Sequence, residues 1–145
     1  MLSTESIDVV LRKLAKGDKE SVVILDQFLK SIIKTIENTE ELKEEIDDFT
    51  ETYQFHVTDL NFNFWFSIYK KKITYEKGIN KTATLKVFFT KDILVKVIKK
   101  EISGTELYMK GLIKVKGNLS HAVKIMNFLR TVRNYLLNNS KNSNS

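Results

Sequence analysis

The stretch Leu107–Leu129 reads LYMKGLIKVKGNLSHAVKIMNFL. Its two glycines, Gly111 and Gly117, bracket a short run in which apolar and charged residues alternate. Ile113 and Val115 fall on one face of this run and lysines on the other, as in a strand with one buried face. Glycine at each end suits a tight bend or a positive φ angle. We therefore predict a half-buried strand between two turns.

A helix is predicted to follow this strand directly. Asn118 or Ser120 can cap its first turn with a side-chain oxygen. Beyond the cap, apolar residues recur at the spacing of one helical face. They are Ala122, Ile125, Met126, Leu129, Val132 and Leu136. Such a stripe is typical of an ordinary core helix as well as of a helix that lines a ligand site, so the residues predict the helix and leave its role open.

Three amphipathic helices are predicted to precede the sheet. Gly17 can end the first, Asp18 can cap the second, and the acidic segment Glu40–Asp48 forms the solvated face of the third. The apolar positions of the three helices are Ile7, Val10, Leu11 and Leu14; Val22, Leu25, Leu29, Ile32 and Ile36; and Leu42, Ile46 and Phe49.

Strict alternation from Thr52 onward predicts the sheet. Tyr75 fits a continuation of the first strand pair, and a helix is predicted after Thr90, ending before Gly104. The inward strand positions are Tyr53, Phe55 and Val57; Phe62, Phe64, Phe66 and Ile68; and Ala83, Leu85, Val87 and Phe89. The tail 138–145, rich in Asn, Ser and Lys, is predicted to be disordered.

Length and composition narrow the class of protein. The chain has 145 residues, which fits a single domain over 1–137, with helices in 1–49 and the sheet and further helices in 50–137. It contains no cysteine, so disulfides and thiolate metal sites are excluded. The N-terminus lacks a basic segment followed by an apolar run, and no apolar stretch is long enough to span a membrane. We expect a soluble, cytoplasmic protein.

Charge is unevenly placed along the chain. The formal net charge is +6, yet the first 60 residues are acidic and the remainder is basic. Eight lysines could form a face for an anionic membrane surface, whereas a merely solvated face is the simpler interpretation. They are Lys70, Lys71, Lys72, Lys96, Lys99, Lys100, Lys114 and Lys116. No nucleic-acid partner is expected, because arginine, which base readers favour, is scarce.

The stretch Leu107–Leu129 resembles the sterol carrier protein type 2 domain. The corresponding family segment reads aromatic-aromatic-x-Gly-Lys-Leu-Lys-Ile-x-Gly-Asn, before a helix that begins near Ala-x-Lys-Leu. Trp65 in a strand, Ala83 in the next and Thr90 before a helix fill the other places, and the resemblance covers about residues 50–136. One departure is that a single aromatic residue, Tyr108, precedes Gly111, and the proline turn of the family is missing.

The resemblance implies an α+β fold. Its mainly antiparallel sheet has about five strands and is covered by helices on one face, with an apolar tunnel that takes sterol-like, fatty acyl or phospholipid ligands. A tunnel of this kind is expected to be lined by inward strand residues and by residues on or near the last helix. We predict the lining to be Phe55, Phe64, Phe66, Val87, Tyr108, Met109, Ile113, Val115, Met126 and Leu129. Each of these residues could instead belong to a solid core.

Catalysis is not expected. The two histidines, His56 and His121, are far apart in the sequence and lack a pattern of acidic ligands, so no metal site is predicted. Ser67 is not in a Gly-x-Ser-x-Gly elbow, and no glycine-rich phosphate loop occurs, so no cofactor is predicted.

Two functions remain open at this stage. The first is a lipid carrier that binds lipid in the tunnel and makes transient contact with anionic membranes. The second is an accessory or protein-interaction domain of the same fold, with a filled tunnel and a protein partner. A continuous apolar void between the sheet and the final helix would favour the first, and a solid core the second.

Overall fold

The computed structural model describes residues 4–99 and 102–143. Three helices come first: α1 (Thr4–Lys16), α2 (Lys19–Glu37) and α3 (Glu40–Glu45). Asp18 caps α2 as predicted, since its Oδ1 accepts a hydrogen bond from the Ser21 backbone N–H at 3.1 Å. The predicted apolar stripes face inward, and Leu14, Leu25, Ile36 and Ile46 are fully buried.

Five strands form one sheet: β1 (Glu51–Val57), β2 (Phe62–Tyr69), β3 (Lys72–Lys77), β4 (Leu85–Phe89) and β5 (Lys114–Lys116). Their order across the sheet is β3-β2-β1-β4-β5. The β1–β4 pair is parallel and the other pairs are antiparallel. The predicted α+β class and mostly antiparallel sheet are confirmed.

The sequence indicated only that Tyr75 continues the first pair of strands. In the structure Tyr75 belongs to a separate strand, β3, which forms a hairpin with β2. Tyr69 pairs with Lys72, which leaves a two-residue turn of Lys70 and Lys71. Both have positive φ angles, 49° and 66°, as a type I′ hairpin turn requires. Such turns usually carry Asn or Gly, so two lysines gave no sequence signal for this turn.

Three more helices follow: α4 (Lys91–Ile98), α5 (Gly104–Met109) and α6 (Leu119–Ser143). The short α5 was not predicted. Ser103 caps it by accepting a hydrogen bond from the Glu106 backbone N–H at 3.1 Å. Gly111 follows it with a φ angle of 69°. Tyr108 and Met109, which we expected on or near the last helix, therefore belong to a separate helix.

The last helix is capped by Asn118, whose Oδ1 accepts a hydrogen bond from the His121 backbone N–H at 3.2 Å. The helix continues to Ser143, so most of the tail predicted to be disordered is helical, while residues 144–145 lie outside the described part. Extending an existing helix adds a hydrogen bond per residue without a new nucleation step, which offsets the poor propensity of Asn and Ser.

Gly117 explains why the β5 strand is bracketed by glycine. Its φ angle is 124°, and a Cβ atom there would lie 2.6 Å from the backbone oxygen of Thr84. A side chain would therefore push β5 away from the start of β4 and strain the backbone. The prediction of a half-buried strand is confirmed, because Ile113 is buried and Lys114 and Lys116 are exposed.

The lysines predicted to share one basic face are divided between distant places. Lys70, Lys71 and Lys72 lie at the β2–β3 turn, whereas Lys114 and Lys116 lie on β5, at the opposite edge of the sheet. Lys96 and Lys99 lie at the end of α4, and Lys100 is outside the described residues. None of the helices within the described ranges combines the length and apolarity that spanning a bilayer requires.

Candidate functional site

A cavity of about 140 Å³ lies between one face of the sheet and the helices. Among the described residues that line it, Tyr75 and Arg133 are the two with polar side chains. The lining comes from α1, α2 and α4, from strands β1 to β4, and from α6. Its residues are Ile7, Leu25, Phe28, Leu29, Ile32, Ile33, Phe55, Phe64, Phe66, Ile73, Tyr75, Phe89, Leu94, Val97, Ile98, Leu129, Val132, Arg133 and Leu136.

Three stacked phenylalanines lie on the sheet side of this cavity, together with Ile73, Tyr75 and Phe89. Phe55 on β1 lies between Phe64 and Phe66 of β2, with ring centroids 5.1 Å from each and nearly parallel ring planes. Because successive side chains of a strand alternate between faces, residues two apart on β2 point to the same side. Stacked rings of this kind give a rigid apolar wall.

A second cavity of about 100 Å³ adjoins the first. Six residues line both: Phe55, Phe89, Leu94, Val97, Leu129 and Arg133. The second cavity extends under α5 toward β5, where Leu107 and Ile113 contribute to its lining. The two voids are therefore neighbours along the space between α4, α6 and the sheet, and the side chains that they share separate them.

Helix α4 contributes to the lining of both cavities and packs against the core with partly buried side chains. Its apolar residues are all half-buried, and none is fully buried. Leu94 and Val97 face both cavities, while Ile93 and Ile98 each face one. A helix without fully buried side chains has less packing to lose when it shifts than a helix buried in the core.

Tyr75 lines both the first cavity and the groove outside it. Its hydroxyl donates a hydrogen bond to Oδ1 of the buried Asp26 at 2.8 Å, and Asp26 Oδ2 lies 3.2 Å from Lys30 Nζ. Burial, and then the hydrogen bond to Asp26, raise the pKa of Tyr75 well above its usual range. Beyond Tyr75, an open groove lined by Lys30 and Lys72 leads to the surface between α2 and β3.

Arg133 on α6 lies at the wall between the two cavities. Its Nη1 donates to the backbone oxygen of Val97 at 2.6 Å, and its Nη2 donates to Oδ1 of Asn134 at 3.1 Å. The buried Nε has no hydrogen-bond partner within the part of the chain that the structure describes. Burial, and secondarily the charge of Arg130, lower the pKa of Arg133.

The structure brings seven of the ten predicted lining residues to the cavities. Phe64 and Phe66 line the first cavity, and Phe55 and Leu129 line both cavities. Three further predicted residues line the second cavity. These three are Val87, Ile113 and Met126.

Three predicted residues lie elsewhere. Met109 is 79% exposed and Tyr108 41% exposed, because α5 turns its Leu107 inward and these two residues outward. Val115 is half-buried on β5, where it pairs with Val87, and it lines neither cavity.

The sequence reasoning missed the contributions of α1, α2 and α4 and the position of Arg133. Leu25, Leu29 and Ile32 were recognised as an inward stripe of α2 but assigned to the core. The pattern of apolar residues is the same for a stripe that packs on a solid core and for one that faces a void. Arg133 lies on the inward side of α6, as Leu129 and Val132 do. A charged residue on this otherwise apolar face was the sequence signal that could have marked it as a site residue.

Both histidines have local partners away from the cavities. His56 Nδ1 lies 2.7 Å from Asn63 Oδ1, and its ring stacks on Phe88 at 4.4 Å on the opposite face of the sheet. His121 Nδ1 lies 2.7 Å from Glu51 Oε1. Over residues 4–99 and 102–143, no cluster of three His, Asp or Glu side chains has the arrangement of a metal site.

Comparison with protein families gives one match. Residues 29–130 match the model of the SCP-2 sterol transfer family. No curated protein matches the chain.

Several solved structures have a similar fold. Sterol carrier protein 2 from Yarrowia lipolytica, in its apo form, has a TM-score of 0.60 and 19% identity over 77% of this chain and 91% of that chain. A ubiquinone synthesis protein, UbiJ-SCP2, has a TM-score of 0.61 and 11% identity over 76% and 96%. The inverting sec-alkylsulfatase Pisa1 from Pseudomonas sp. has a TM-score of 0.51 and 18% identity, and the match covers 59% of this chain but spans only 13% of that enzyme.

Proposed function

The chain belongs to the SCP-2 sterol transfer family, and on that premise we propose that it is a non-catalytic carrier of a fatty acyl, sterol-like or phospholipid ligand. Membership of the family supports lipid binding or transfer in general. The observation that carries the finer proposal is the pair of adjoining apolar cavities between the sheet, α4 and α6. We assign the binding to a single domain over 1–137 and to a cytoplasmic protein, as the sequence predicts.

The cavities suit an apolar chain because they offer few polar groups that would hold water. A dry cavity of roughly 150 Å³ lined by Leu, Ile and Phe is large enough to bind benzene. The first cavity, at about 140 Å³, is of that size and is lined by the same residue types. Each methylene moved from water into such a site gains about 0.8 kcal/mol.

A ligand longer than a few carbons has to join the two cavities. Joining them requires the shared side chains, chiefly Leu94, Val97 and Leu129, to change rotamer or to move with α4. Because no side chain of α4 is fully buried, this displacement requires little free energy. The proposed carrier therefore holds its ligand by apolar burial and releases it when α4 moves outward.

Calorimetric titration with a series of straight-chain alkanoates tests the carrier function. Trp65 lies on β2 between Phe64 and Phe66, so its side chain points away from the cavities. Its fluorescence is therefore a poor reporter of ligand, and the heat of binding is the better signal. We expect affinity to rise by about fourfold per added methylene and to level off once the chain fills both cavities. Binding that is absent throughout, or that is independent of chain length, would contradict the proposal.

A second candidate is an accessory or protein-interaction domain of the same fold, in which side chains fill the tunnel and the partner is a protein. It is supported by the match to a small part of Pisa1, in which a similar fold lies within a larger enzyme chain. This candidate predicts no binding of alkanoates of any length. It also predicts a protein that co-purifies in stoichiometric amount.

We also propose that the protein makes brief contact with anionic membranes while it carries lipid, and that it has no nucleic-acid partner. The exposed Lys70 and Lys72 lie at the β2–β3 turn, next to the groove that leads to Tyr75. Basic side chains near an anionic surface each contribute about 1 kcal/mol. Co-sedimentation with phosphatidylserine vesicles, but not with phosphatidylcholine vesicles, is the expected result for the wild-type protein.

A further inference from the structure

We propose that Arg133 makes the site selective for amphiphiles with an anionic head group, a carboxylate or a phosphate, over neutral lipids of the same chain length. This inference rests on the proposed carrier function and names the class of its ligand. The guanidinium, which lines both cavities, holds the head group at one side of the joined space, and the chain fills the apolar remainder.

The hydrogen bonds of Arg133 leave capacity for a ligand. A guanidinium has five N–H donors in one plane, which match the two oxygens of a carboxylate or phosphate. Nη1 and Nη2 each use one donor, on Val97 and Asn134, and the buried Nε uses none within the described residues. A buried donor without a partner is unfavourable, so an acceptor at this place stabilises the complex.

Arg133 has no carboxylate partner among the side chains that the structure describes. Among residues 7–99 and 102–136, whose side chains the structure describes, no carboxylate lies within salt-bridge distance of Arg133 or Arg130. Arg130 lies one turn earlier on the same helix and lines the second cavity, so its charge repels that of Arg133. The Val97 carbonyl near the C-terminus of α4 supplies only a partial negative charge. A ligand anion supplies the full charge that a half-buried guanidinium needs.

Neutral ligands gain less from this arrangement. A fatty alcohol or a sterol can bury its apolar part equally well, but it brings a hydroxyl with no charge to Arg133. A hydroxyl oxygen accepts a single hydrogen bond from the guanidinium, whereas a carboxylate or phosphate accepts two charge-assisted bonds and pairs its charge with that of Arg133. We expect this difference to amount to about tenfold to hundredfold in affinity. The expected order is therefore dodecanoate and dodecyl phosphate first, and dodecanol last.

The test compares these three ligands on the wild-type protein and on R133M by calorimetric titration. Methionine replaces the arginine with an apolar chain of similar reach, so the fold should be retained, which circular dichroism and thermal unfolding check. We expect R133M to lose about tenfold to hundredfold in affinity for dodecanoate and dodecyl phosphate and to keep or improve its affinity for dodecanol. R12M is the matched control, since Arg12 is exposed on α1 and should leave all three affinities unchanged.

Each outcome tests either the role of Arg133 or the carrier function. Equal binding of dodecanoate and dodecanol by the wild-type protein, or an equal loss of both in R133M, would overturn the role of Arg133 and leave the carrier function standing. Failure of all three ligands to bind the wild-type protein would overturn the carrier function itself. A preference of the wild-type protein for one anion identifies carboxylate or phosphate as the head group. If R133M does not fold, R133Q, which removes the charge and keeps polar atoms, decides the same question.

Discussion

The variant L129W is expected to lose binding of dodecanoate by about hundredfold or more while it remains folded. Leu129 lines both cavities, so an indole ring at this position fills the space through which they would join. Excluding about four methylenes from burial removes about 3 kcal/mol of binding free energy, or roughly two powers of ten in affinity. Calorimetric titration measures the loss.

Overpacking of a core commonly costs about 1–3 kcal/mol, but an existing void lowers that penalty. Thermal unfolding of L129W should therefore be close to that of the wild-type protein. The control is L119W on the same helix, because Leu119 is 40% exposed and lines neither cavity. Retained dodecanoate affinity in L129W, or an equal loss in L119W, would show that the ligand binds elsewhere.

The variant F55A should have the largest effect on stability. Phe55 is buried between Phe64 and Phe66 and faces both cavities, so its removal merges them and abolishes two stacked contacts. Deleting a buried phenylalanine side chain costs about 3–5 kcal/mol. Urea unfolding in the absence of ligand measures this loss.

Ligand should restore part of that stability, because binding to the native state alone adds about 2.7 kcal/mol at a hundredfold excess over Kd. F88A is the matched control, since Phe88 is half-buried on the opposite face of the sheet and stacks on His56. It should lose less stability and gain no more from ligand than the wild-type protein gains. A loss in F55A no larger than that in F88A would mean that the phenylalanine stack is not a structural element of the site.

Much of the fold could be predicted because local chemistry and burial agree along most of the chain. The alternation from Phe62 to Ile68 follows the burial of β2 residue by residue. The capping of α2 by Asp18 and the bend at Gly117 likewise need no distant contact to be recognised. Two elements were missed where local signals were weak: the Lys70–Lys71 turn and the six-residue helix α5.

The candidate site was only partly predictable because a void leaves no mark on the sequence. The period of two places Phe55, Phe64 and Phe66 on one inward face, where they line the first cavity, but this period does not distinguish a packed face from a cavity wall. Tyr108 and Met109 were placed in the lining because their helix was not foreseen. The position of Arg133 in the site depends on its hydrogen bond to Val97, which joins α6 to α4. The spacing of residues within one helix does not predict a contact between two helices.

Native mass spectrometry of the protein, purified gently from its own host, tests the carrier proposal most directly. We expect the wild-type protein to carry a bound amphiphile of low mass with an anionic head group, and the L129W variant, purified in parallel, to lack it. A wild-type spectrum of the bare chain that stays unchanged after incubation with dodecanoate, dodecyl phosphate and dodecanol would contradict the proposal that the cavities bind lipid.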